Sequence, residues 1–154
     1  MNNIQNRFLN AFPNITNSNF IPTSPSTETY NCIAWAYGIN HIPMWPDPLN
    51  VMLGIYFWPE DLPCNNTLES FITLFFLIGY THCLKTEHEI GYEKIAIYTK
   101  NGIPTHAARQ IPNGKWTSKL GSDIDIQHDT LDCLNGPSYG KVEIIMRRKI
   151  KLYR

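Results

Sequence analysis

A cysteine opens the short apolar run Tyr30-Asn31-Cys32-Ile33-Ala34-Trp35-Ala36-Tyr37-Gly38, behind a lead rich in Pro, Ser and Thr. At a helix N-terminus, free N–H groups and the positive dipole end favour thiolate over thiol. A nucleophilic thiolate needs a base beside it, and Pro104-Thr105-His106-Ala107-Ala108-Arg109-Gln110 offers His106. Together the two spell acyl transfer at a peptide or amide bond. The sulfur attacks the carbonyl, the Cys32 N–H and a second donor hold the oxyanion, and the imidazole returns a proton to the leaving group. Asn31 is a candidate for the second donor, although capping the helix is its simpler role. The expected activity is a cysteine hydrolase, whether protease, amidase or deamidase. The alternative is a non-enzymatic binding, immunity or adaptor protein in which Cys32 is a small core residue.

A third polar group would orient the imidazole, and strand register decides which one. With Asn113-Gly114 as a two-residue turn, His106 shares its face with Thr117, Lys119 and Gly121. With Pro112-Asn113-Gly114 as a three-residue loop, it shares a face with Trp116, Ser118 and Leu120. A slip of one residue exchanges the two sets. Asp123, Asp125 and His128, beyond Gly121, are further candidates for the third role.

These side chains need elements to hold them. A helix is expected from about Asn31 to Tyr37, stopped by Gly38. Residues 42–63 contain Pro43, Pro46, Pro48, Pro59 and Pro63 among aromatics, and read as a long irregular loop. Trp45 and Trp58 in that loop, with Phe57, are the candidate walls of a substrate cleft; packing over the core is the competing role. Asn66 and Glu69 form a capping signature for a helix running to about Leu77, apolar around most of its circumference. From Glu93 the period changes to two. Strands are expected at 93–99, 104–111 and 115–120, with turns at Lys100-Asn101-Gly102 and Pro112-Asn113-Gly114. A short strand and helix over 124–134 and one or two strands over 141–153 complete an α+β order without βαβ repeats. Residues 1–28 are expected to form an extended arm around a single catalytic domain, 29–154.

Four runs carry a resemblance. Asn31-Cys32-Ile33-Ala34-Trp35-Ala36, Gly91-Tyr92-Glu93-Lys94-Ile95-Ala96, Pro104 to Gln110, and Trp116-Thr117-Ser118-Lys119-Leu120-Gly121 resemble, in that order, a bacterial domain family of unknown function over roughly residues 28–146. The order of a Cys on an early helix and a His on a later strand also resembles the papain-like hydrolases of NlpC and CHAP type. That second resemblance implies a papain-like α+β fold, N-terminal helices packed on an antiparallel meander. It also implies a third catalytic residue about twelve positions beyond the His, which is Ser118. Serine departs from the stronger orienters Asn and Asp found there.

Composition sets the outer bounds. The chain has 154 residues, 43% hydrophobic and 17% charged, which fits a globular domain with a core. Thirteen basic and thirteen acidic residues cancel, so nucleic acid and anionic membrane are not expected partners; a peptide or protein is. The oligomeric state is not legible. Cys32, Cys64, Cys83 and Cys133 are widely spaced and form no CxxC pair, so neither a disulfide framework nor a cofactor is expected. A zinc set of His82, Cys83, His88 and Cys133 matches no common spacing. No basic segment followed by an apolar one opens the chain. A cytoplasmic location is expected, with export lacking a cleavable signal left open.

Overall fold

The computed structural model describes residues 3–151. Its centre is a seven-stranded antiparallel sheet. The strands are β1 (Phe20–Ser24), β2 (Thr81–Cys83), β3 (Tyr92–Lys100), β4 (Ile103–Gln110), β5 (Trp116–Lys119), β6 (Asp125–His128) and β7 (Lys141–Lys149), in the spatial order β1-β6-β5-β4-β3-β7-β2. The meander β3 to β6 follows from its turns. Asn101 and Gly102 both take positive φ, 54° and 79°, the geometry a tight hairpin demands and Asn-Gly supplies. β7 returns to lie between β3 and β2, and β1 closes the other edge against β6.

The papain-like α+β fold is not what forms. The helices are short: α1 (Asn3–Phe8), α2 (Cys32–Tyr37), α3 (Pro48–Met52) and α4 (Leu68–Leu77). Local chemistry sets those lengths. Gly38, at φ 106°, ends α2 with its N–H on the Ala34 carbonyl. The prolines of 42–63 confine helix to α3, where Asp47 caps and Pro48 takes the first turn. The result is a sheet covered by small helical pieces, not a helical layer resting on a meander.

β3 shows how the core is divided. Ile95 and Ile97 face a cluster with α2, α4, Met44 and Trp58; Ala96 and Tyr98 face a second with Phe8, Phe12, Ile15, Phe20 and Leu134. Both faces are therefore buried, and strict alternation serves two cores instead of core and solvent. Residues 1–28, expected to be an extended arm, supply α1, β1 and much of the second core. The cap of α4 is Thr67, whose side chain accepts from the Ser70 N–H, one position beyond the expected Asn66. Phe76 and Leu77 at its end are exposed, so its burial is one-sided. The last strand stops at Lys149; the rest of the expected span runs to residues outside those described.

Candidate functional site

Helix α2 lies across β4 and β5 and is fixed at its start by Asn31. The Asn31 Oδ1 accepts from the N–H groups of Ala34 at 3.1 Å and Met44 at 3.0 Å, and Nδ2 donates to the Met44 carbonyl at 2.7 Å. Every one of those atoms is used in tying the helix to the 42–63 loop. Trp35 Nε1 donates to Thr117 Oγ1 at 3.0 Å, and the Arg109 guanidinium sits over the Trp35 ring.

Cys32 is buried in the first cluster together with Ile33, Ala34 and Ala107. Burial pushes its thiol up to about 11, against the opposing pull of the backbone N–H groups of Ala107, Ile33 and Cys32 and of the Lys119 ammonium. Lys119 shares that face of the sheet. It is fully buried, donates to the Asp123 carbonyl, and lies 3.9 Å from Asp125 Oδ1. Burial lowers its pKa, while Asp125, Asp123 and Cys32 act to raise it. Asp125 also accepts the Tyr30 hydroxyl at 2.5 Å, and the Lys119 ammonium stands 5.4 Å from the Tyr30 ring centroid. Charges of opposite sign thus face each other on paired positions of β5 and β6, although Asp125 Oδ1 itself accepts no hydrogen bond.

His106 is on the opposite face. Arg109 pairs with Thr117 and Gln110 with Trp116, the register of the three-residue loop, so His106 and Ser118 share a side. His106 Nε2 is 2.9 Å from Ser118 Oγ, which is 2.8 Å from His128 Nε2, whose Nδ1 is 2.8 Å from the Thr130 carbonyl. The carbonyl can only accept, so His128 carries its proton on Nδ1 and accepts the Ser118 O–H at Nε2. Ser118 in turn accepts from the N–H at His106 Nε2. Neutral His106 is left with a bare Nδ1, buried and without a partner. Burial holds both imidazoles below the usual histidine value, His128 at about 4. Tyr139 stacks on His106 at 4.1 Å with an interplanar angle of 5°, and Tyr98 meets it edge-on.

His106 and Ser118, which the papain-like resemblance pairs, thus meet in space, with His128 as a third member. Cys32 joins a different group, Lys119, Asp125 and Tyr30. No signal in the separate residues announces that second set. It becomes legible only once β5 and β6 are paired.

A surface cleft of about 460 Å³ opens beside the start of α2. Asn31 and Trp45 line it, as do Tyr30, Tyr56, Ile55 and Glu28. Trp58 does not: it is buried, packs on Phe71 at 5.4 Å and donates to the Pro63 carbonyl. Asp123 pairs with Arg7 at the surface. Among the described residues no group of three or more His, Cys, Asp or Glu is placed to hold a metal ion, and no helix is long and apolar enough to cross a membrane.

No curated protein and no solved structure matches this chain. The family profile described as "Domain of unknown function (DUF7689)" matches residues 21–147, from β1 through most of β7, and the chain belongs to that family.

Proposed function

We propose that this domain is a binding module for a protein or peptide partner, and that Cys32 serves its core and no reaction. The observation that carries this reading is the separation of sulfur from imidazole. Cys32 is buried with α2 on one face of β4, whereas His106 is enclosed by Tyr98, Tyr139 and Ser118 on the other. The His106 nitrogen that meets Ser118 is a donor, so it cannot take a proton there, and its basic nitrogen is sealed. A thiol displaced upward by burial supplies little thiolate at neutral pH.

Iodoacetamide treatment of the native protein near pH 7.5, followed by peptide mapping, tests the reading. Cys32 stays unmodified until denaturant is added, while half-buried Cys64 reacts first. Selective alkylation of native Cys32, abolished by His106→Gln in a protein still folded by circular dichroism, would overturn it.

A second reading has one specific support. The N–H groups of Ala107 and Ile33 and the Lys119 ammonium all favour the Cys32 thiolate. In a peptide- or amide-cleaving hydrolase built on them, Lys119, not His106, is the counter-charge. Native alkylation that survives His106→Gln and is lost in Lys119→Met identifies that case.

A further inference from the structure

The loop from Asp47 to Phe57 turns its large apolar side chains outward. α3 buries none of its residues, and Leu49, Met52 and Leu53 recur at helical spacing on it and just past it. Met52 is 75% exposed and Leu53 60%, and Ile55 and Phe57 continue the exposed run. Such a concentration within one loop differs from single apolar residues scattered over a surface. It is also built. Asp47 accepts from the Asn50 N–H, the Leu53 N–H reaches Leu49, Ile55 and Tyr56 both donate to Asn50, and Phe57 donates to the Pro43 carbonyl. Ile55 then leads into the aromatic cleft with Tyr30, Trp45 and Tyr56.

The stretch of chain that carries this surface has charge of one sign. From residue 8 to residue 84 the chain carries Glu28, Asp47, Glu60, Asp61 and Glu69, and neither Lys nor Arg. Glu28 lines the cleft and Asp47 caps α3. Lys119, the cation beside Tyr30, is buried and held by Asp125 and the Asp123 carbonyl, so it neutralises nothing outside.

We infer that the 47–57 ridge and the adjoining cleft dock a partner segment that is both apolar and basic. Aliphatic or aromatic side chains cover Leu49, Met52, Leu53 and Ile55, and Lys or Arg answers Glu28 and Asp47. An anionic bilayer would meet the same carboxylates and be repelled. A second copy of this chain is a poorer match, because two of the four cations of its strand β7 are already paired, Arg147 with Glu89 and Arg148 with Glu93. The inference rests on the binding-module reading and names the chemistry of its partner.

The probe is a synthetic amphipathic Leu/Lys peptide without tryptophan, with a Leu/Glu peptide of the same pattern as its control, followed by tryptophan emission, since Trp45 lines the cleft. Saturable binding of the Leu/Lys peptide is expected, weakened tenfold or more by 0.5 M salt, by Met52→Asp with Leu53→Asp, and separately by Glu28→Lys. All three positions are exposed, and circular dichroism verifies folding of the variants. Equal binding of both peptides, binding of neither, or retention of affinity in the variants overturns the inference. So does a dimer in sedimentation that Leu53→Asp dissociates, or a preference for phosphatidylserine vesicles. Failure here with Cys32 still unreactive removes this surface alone; a reactive native Cys32 removes the binding-module reading itself.

Discussion

Ser118 is the residue on which the second face depends, because it is at once the acceptor for His106 and the donor to His128. Ser118→Ala leaves an imidazole N–H and an imidazole lone pair buried without partners. At about 1–3 kcal/mol for each stranded group, the loss is about 2–6 kcal/mol, read as a lower urea midpoint. The same chain of bonds makes stability depend on pH. His128 titrates near 4 when folded and near ~6.5 when unfolded, so between those values the unfolded state binds the extra proton. Stability is therefore full above about 6.5 and falls as pH drops toward 4, by up to about 3 kcal/mol from this residue. His106, also depressed by burial, acts with the same sign. Urea titrations at pH 7.5 and pH 5 check this: the midpoint drops at pH 5, and His128→Gln flattens the difference. The His106 and Ser118 pairing was half legible: the sequence narrowed the faces to two registers, and the papain-like resemblance named Ser118, but only the three-residue loop of the folded chain decides between them. The side of β4 on which Cys32 packs was not legible, since residue types alone do not say which face of a strand a partner occupies.

Helix α2 is specified at both ends. At its start, Asn31→Ala removes a cap worth about 1 kcal/mol and also unties Met44, for a total of about 2–3 kcal/mol. Asn31→Asp keeps the acceptor oxygen and loses only the Nδ2 donation, so thermal melts should place it between alanine and the parent. At its other end Gly38 has open space around the site of a Cβ, so the left-handed φ alone sets the cost of Gly38→Ala, about 1–2 kcal/mol. Both ends were readable in the sequence, as was the Asn101-Gly102 turn, because each depends on a few adjacent residues. α3 was not readable: 42–63 reads as irregular loop because of its prolines, and a helix of five residues behind Asp47-Pro48 is too short to show a period. The sheet order was not readable. β7 inserting beside β3, and β1 pairing with β6, join segments far apart in the chain whose apolar patterns fit several neighbours.

At the scale of the molecule, the sheet is sandwiched: α2, α4 and the 42–63 loop cover one face, and the N-terminal segment with the 3-10 turn Leu131–Leu134 covers the other. The Asn- and Pro-rich start, 1–28, reads in the sequence as an arm wrapping the body, and its apolar side chains show how it is attached. Phe8, Phe12, Ile15 and Phe20 are each 7% exposed or less, and the last of them begins the edge strand paired with β6. Burying four such side chains contributes roughly 1.5–3 kcal/mol each, about 6–12 kcal/mol in sum before entropic losses. That is comparable to the whole stability of a domain, about 5–15 kcal/mol. Removal of residues 1–28 also uncovers β6 as a new sheet edge and exposes Trp116, Ile126 and Leu134 of the second cluster. The truncated chain should therefore lose its cooperative thermal transition and aggregate, whereas removal of residues 1–5 alone should leave the transition within a few degrees. A truncated 29–154 chain that melts cooperatively near the parent temperature would show that the N-terminal layer is dispensable packing, and that the first core and the meander suffice to hold the sheet.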